Sequence, residues 1–190
     1  VSKLDIMKAL KGLLSNIINL KNDRNLAWYL ISSMFYRDAM NAIFFFGGIY
    51  AAGVLEMSTV QLGLFGILAA STGTIGAYLG GIWDSKFGSK FCINIMLAGL
   101  LVVITIIFGL TRSSFYGIQL DPTSNSADII FYIAGGILGF VSGPIQSASR
   151  TLLVFLVDEK RLTESFGLYA LVGRATAFLA PMLITWFTLA

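Results

Sequence analysis

Long apolar runs separated by short polar connections set the pattern of this chain. Five runs, approximately Leu26 to Leu55, Val60 to Trp83, Phe91 to Thr111, Ile129 to Val157 and Ser165 to Ala190, reach the ~20 residues a helix needs to cross a bilayer core. None shows the alternation over about ten residues that marks a membrane β-strand, so each reads as a helix with its backbone groups paired internally. The start of the chain follows a different rule. Ile6, Leu10, Leu13 and Ile17 recur at helical spacing, with Lys3, Lys8 and Lys11 among the polar positions. This predicts an amphipathic helix over residues 1–24, lying at the membrane surface or covering a cytoplasmic opening. It is not a signal peptide, since it lacks a continuous apolar core and a cleavage site. The predicted fold is all-α and integral to the membrane: an amphipathic helix over 1–24 and five spanning helices over 25–190.

Composition agrees and narrows the chemistry. Of 190 residues, 56% are hydrophobic and 12% charged, against about 25% charged in a typical globular domain. Histidine is absent and Cys92 is the only cysteine. That excludes Cys/His metal clusters, histidine-activated nucleophiles and an internal disulfide. With no glycine-rich nucleotide loop either, neither a cofactor nor a bound metal is expected.

The net charge of +3 and pI near 9.1 follow from topology rather than from nucleic-acid binding. Lys3, Lys8, Lys11, Lys21, Arg24, Lys86, Lys90, Lys160 and Arg161 fall in connections on one side of the predicted spans, and only Arg112 on the other. The positive-inside rule therefore places the N-terminus in the cytoplasm and the end of the fifth span outside. Trp28 and Trp83 fall at cytoplasmic membrane boundaries, where amphipathic rings prefer to sit. The connection from Arg112 to Asp128, with Asp121-Pro122 and a Thr-Ser-Asn-Ser tract, reads as a flexible external loop. A chain that begins at Val1 and stops in an apolar run at Ala190 reads as part of a larger protein.

Charges inside the spans carry the functional signal. Arg37 and Asp38 lie about 18 Å into the first helix, counting ~1.5 Å per residue from Leu26, and a charge in hydrocarbon survives mainly where it faces protein or water. Ser33, Arg37 and Asn41 recur every four residues, while Asp38 is rotated about 100° from Arg37 and stands three residues from Asn41. Arg174 reaches a similar depth in the fifth span. Ser142, Gln146 and Arg150 make a polar stripe on the fourth, with Arg150 toward the cytoplasmic end. Arg37, Asp38, Asn41, Gln146 and Arg174 are the candidate substrate or ion pathway, with Asp38 expected to face the central cavity and to partner Arg37, Arg174 or Asn41; the alternative for Arg37 and Asp38 is a structural ion pair between helices. Gly135, Gly136, Gly139 and Gly143, followed by Pro144, and Gly73, Gly76, Gly80 and Gly81 in the second span, suit close helix packing.

The turn between the second and third spans reads Gly80-Gly81-Ile82-Trp83-Asp84-Ser85-Lys86-Phe87-Gly88-Ser89-Lys90. It resembles the cytoplasmic loop signature of the major facilitator superfamily, although the usual acidic position falls on Ser85 and Asp84 precedes it by one. Tyr36-Arg37-Asp38-Ala39-Met40-Asn41, Phe46-Gly47-Gly48-Ile49-Tyr50-Ala51-Ala52-Gly53, Gly143-Pro144-Ile145-Gln146-Ser147-Ala148-Ser149-Arg150 and Phe166-Gly167-Leu168-Tyr169-Ala170 extend the similarity. Together they resemble the C-terminal half of the branch that holds bacterial permeases and the vacuolar effluxers linked to autophagy. The resemblance implies that residues 1–24 are the cytoplasmic linker helix and 25–190 a half-domain holding the seventh to eleventh helices of a twelve-helix transporter, whose N-terminal half and twelfth helix lie outside this sequence. It further implies a cytoplasmic gate built from Gly80, Asp84, Lys86, Gly88, Lys90 and Arg150, with Asp84 meeting Arg150. Its partners would be the lipid bilayer and a small solute, with an amino acid or a proton among the candidates, in a plasma or inner membrane if the source is bacterial.

Two other classes compete. A scaffold or receptor would show no solute flux. An intramembrane enzyme would need a second catalytic group near Asp38, and no other acidic residue is predicted deep in a span.

Overall fold

The computed structural model describes residues 23–122 and 124–175, together with Met182 and Trp186. Nearly all of the predicted linker helix and the later part of the fifth span therefore lie outside the described residues. The elements in order are α1 (Arg24–Gly53), α2 (Thr59–Phe87), α3 (Ser89–Phe108), β1 (Ser114–Phe115), β2 (Ile118–Gln119), α4 (Ser126–Leu156), a 3-10 turn (Glu159–Arg161) and α5 (Leu162–Ala175). The fold is all-α and membrane-embedded, apart from the two-residue strands. By length and composition α2, α3 and α4 are long and apolar enough to cross a membrane. α1 is equally long at 30 residues but carries Arg37 and Asp38.

Local chemistry sets the helix ends. Ser58 and Gln61 form a reciprocal cap at the start of α2: Gln61 N–H donates to Ser58 Oγ at 3.4 Å, and Ser58 N–H donates to Gln61 Oε1 at 2.8 Å. This satisfies two of the amide groups that a helix start leaves unpaired. At the other end Gly88, at φ 85°, returns its N–H to Asp84 O at 2.9 Å. Glycine reaches that backbone region without the Cβ penalty, so α3 begins at the next residue. The loop from Arg112 to Asp128 is more ordered than its composition suggests, because β1 and β2 pair antiparallel within it.

The chain divides into two compact units, one of residues 1–41 and 150–190, the other of residues 42–149. In the latter, Ala51, Leu55, Met57, Phe65, Leu110, Ala127 and Phe131 form a core, with the Phe65 and Phe131 rings stacked at 4.8 Å. Below it runs a glycine seam between α2 and α4. A Cβ on Gly73 would lie 3.2 Å from Gly139 O, one on Gly80 2.6 Å from Pro144 Cγ, and one on Gly143 2.9 Å from Ala77 N. Lipid supplies no hydrophobic drive between helices, so membrane helices gain association energy by letting backbones touch. α3 buries Ser89, Cys92, Ile93, Met96, Leu100 and Val103 and leaves Leu101, Ile104 and Phe108 exposed, as a lipid-facing helix should.

In the other unit Leu26, Tyr29 and Leu30 of α1 pack with Leu153 of α4 and with Leu168 and Tyr169 of α5. Arg161 closes this end, bonding Asp23 Oδ2 at 2.5 Å.

Candidate functional site

Within the unit of residues 1–41 and 150–190, Arg37 is held by α5 and not by its sequence neighbour. Its Nη1 donates to Tyr169 O at 2.9 Å, and the guanidinium carbon lies 4.1 Å from the centre of the Tyr169 ring. Tyr29 stacks parallel with the same ring at 6.2 Å. Gly173, one turn beyond Tyr169, makes this possible: a Cβ there would collide with the guanidinium, so its absence opens the carbonyl of Tyr169 to a second donor. A guanidinium over an aromatic face gains about 0.5–2 kcal/mol depending on how dry the site is.

Asp38 is half-buried and has no ion pair or hydrogen bond among the described residues, so the expected partnership with Arg37, Arg174 or Asn41 is not formed, Arg37 being drawn to Tyr169 instead. Asn41 and Arg174 are exposed. Ser33 is fully buried and donates to Leu30 O at 2.8 Å. The four-residue stripe thus turns from the protein interior at Ser33 to the surface at Asn41, because each step of four residues drifts about 40° on a helix of 3.6 per turn.

Within the unit of residues 42–149, a cleft of about 610 Å³ opens between the seam and α1. Its wall is mostly small residues, among them Ala69, Ala70, Gly73 and Ala77, with Thr74, Ser142 and Gln146 as polar groups. Ser142 Oγ is turned to Gly139 O at 2.8 Å and Thr74 Oγ1 to Ala70 O at 3.0 Å. Gln146 is exposed and makes no hydrogen bond among the described residues.

At the turn between α2 and α3, Gly80 is buried, Asp84 is half-buried, and Lys86, Gly88 and Lys90 are exposed. Asp84 Oδ1 and Ser89 Oγ are buried without hydrogen-bond partners among the described residues. A buried carboxylate oxygen left unpaired is costly, which marks Asp84 as an acceptor awaiting a donor. Arg150 is exposed on α4.

One polar cluster has no counterpart in the sequence reading. Asp128, 4% exposed, accepts from Arg112 Nη1 at 2.5 Å and from Gln61 Nε2 at 3.0 Å, while Tyr132 Oη donates to Gln61 O at 3.0 Å. It ties the start of α2, the loop after α3 and the start of α4. The Ser58-x-x-Gln61 spacing was the available signal for one member, and Arg112, the lone basic residue on its side, for another. Among the described residues no group of acidic, cysteine or histidine side chains could hold a metal.

A sequence model of the family described as "Vacuole effluxer Atg22 like" matches residues 3–188. The chain belongs to the Atg22-like vacuole effluxer family. It is similar to Autophagy-related protein 22-2 of Aspergillus oryzae, 28% identical over 165 residues covering 83% of this chain and 25% of the relative. Autophagy-related protein 22-2 of Emericella nidulans is 27% identical over 158 residues, covering 83% of this chain and 26% of the relative. Autophagy-related protein 22 of Botryotinia fuckeliana is 27% identical over 168 residues, covering 83% and 23%. The chain thus spans about a quarter of the length of these curated Atg22-like relatives. No solved structure matches.

Proposed function

We propose that this chain is part of a secondary transporter that moves a small solute, an amino acid being the first candidate, across a membrane by alternating access. In that reading it supplies the seventh to eleventh of twelve helices, with its N-terminus cytoplasmic, and rocks against an N-terminal half outside this sequence. The observation that carries the proposal is Asp38: a half-buried acidic residue inside a 30-residue apolar helix that has no partner among the described residues, the adjacent Arg37 charge being taken up by Tyr169. A structural ion pair would have joined the two; a binding or coupling group needs one of them free. Membership of a family described as vacuole effluxers supports the same reading.

Asp38, Asn41 and Arg174 are proposed to face the solute pathway, with Arg37 as the group that leaves Asp38 unpaired and Gln146 as the polar contact of the small-walled cleft. Gly80, Asp84, Lys86, Gly88, Lys90 and Arg150 are proposed as gate residues on the cytoplasmic side, Asp84 being the acceptor.

The test is flux. The full-length protein, reconstituted in liposomes, should carry at least one member of an amino-acid panel faster than protein-free liposomes. Absence of flux for the whole panel, with correctly folded protein in both orientations, would contradict the amino-acid assignment. Absence of flux for other small solutes as well would favour a scaffold.

A further inference from the structure

The hairpin after α3 carries an unusual residue at its turn. Tyr116 and Gly117, at φ 49° and 85°, are the two residues linking β1 to β2. Tight hairpin turns with both central residues in the left-handed region favour glycine, asparagine or aspartate, because a larger side chain is strained there. A tyrosine held in that conformation calls for a compensating contact, and two are present. Its hydroxyl donates to Thr105 O at 2.6 Å, a last-turn carbonyl whose helical bond to Gly109 N–H is long at 3.4 Å. Its ring lies on Gly109, where a Cβ would fall 2.5 Å from Tyr116 Cζ.

Further hairpin backbone groups are paired within the loop, beyond the β1–β2 ladder. Tyr116 N–H bonds Gly109 O at 2.9 Å, Thr111 N–H bonds Ser114 O at 2.8 Å and Leu120 N–H bonds Ser113 O at 2.8 Å. Each backbone group paired in this way lowers the cost of leaving water. Its side chains invite that: Ile118 is 66% and Tyr116 54% exposed, and Phe108, which precedes the Gly109 that Tyr116 covers, is 87% exposed. Phe108 in turn completes the exposed Leu101, Ile104, Phe108 stripe of α3, one of the helices long and apolar enough to span. The hairpin surface is therefore continuous with a lipid-facing one, and Tyr116 is the amphipathic ring type that gathers at membrane interfaces.

We propose that this hairpin is an interfacial anchor, with Tyr116, Ile118 and Phe108 seated at the boundary between headgroups and acyl chains of the bilayer. It fixes the depth of the adjoining end of α3. This inference is independent of solute transport.

The experiment uses the full-length protein with its other accessible cysteines replaced and a cysteine introduced by Ile118→Cys, labelled with an environment-sensitive fluorophore in phosphatidylcholine nanodiscs. Expected are blue-shifted emission and at least twofold stronger quenching by lipids labelled high on the acyl chain than by deeply labelled ones. An Asn125→Cys control in the same loop should remain water-like. A water-like spectrum at 118 would overturn the proposal, as would a blue-shifted one that no labelled lipid quenches, because another part of the protein would then cover the hairpin. In a second variant, Tyr116→Asn suits the turn but removes the ring, and quenching at 118 should fall at least twofold while the protein stays folded. Unchanged quenching would overturn the anchor as stated.

Discussion

Arg37 on α1 and Tyr169 on α5 are joined twice, through a 2.9 Å hydrogen bond to the carbonyl and through a guanidinium 4.1 Å from the ring centre. The pair depends on Gly173. Gly173→Ala should lower the melting temperature of the full-length protein in detergent, at a cost of about 1–3 kcal/mol for the forced displacement. In an Arg37→Met background, where the guanidinium is gone, the same change should cost less than half as much. Equal costs in the two backgrounds would show that the residues do not interact.

Gly80 and Gly81 are neighbours with opposite surroundings. A Cβ on Gly80 would lie 2.6 Å from Pro144 Cγ, while one on Gly81 would meet nothing within 4 Å. Gly80→Ala should therefore reduce folded yield and cost about 1–3 kcal/mol, whereas Gly81→Ala, inside a helix, should be neutral or stabilising by up to about 1 kcal/mol. Thermal unfolding of the two variants side by side checks this.

Removing either partner of the Arg112–Asp128 pair should have unequal effects. Asp128 has a side chain 6% exposed and Arg112 one that is 28% exposed. Arg112→Met strands a buried carboxylate that retains, among the described residues, Gln61 alone, a change in the range of about 3–5 kcal/mol for a fully buried pair and less here. Asp128→Asn leaves a guanidinium that can reach water. Arg112→Met should thus be the more destabilising in denaturation measurements, and the reverse order would mean that the carboxylate is not the shielded member.

Much of the scaffold was legible in the residues. The apolar runs mark the helices, and Gly88 stands in the turn that ends α2 in both the pattern and the structure, whereas the Ser58–Gln61 cap that starts α2 emerges from the structure. Partners across the fold were not legible. Arg37 has Asp38 beside it in sequence, yet helical geometry turns the two apart and the real partner is Tyr169, 132 positions away. The hairpin was hidden for a related reason. Tyr116 is a poor choice for its backbone region, and only its contacts with Thr105 and Gly109 make the conformation affordable. Asp128 looked like a loop carboxylate, because its burial depends on Arg112 and Gln61 arriving from other segments.

The central claim is that Asp38 is free for a solute or coupling ion, and Asp38→Asn in the full-length protein tests it most directly. The measurement is transport per correctly folded molecule in liposomes, with the folded fraction determined independently by gel filtration and thermal unfolding. Because Arg37 is held by Tyr169, the variant should fold and insert nearly as the parent does, while specific activity falls at least tenfold or loses its dependence on the coupling ion. Unchanged specific activity and ion dependence in well-folded Asp38→Asn protein would contradict the account.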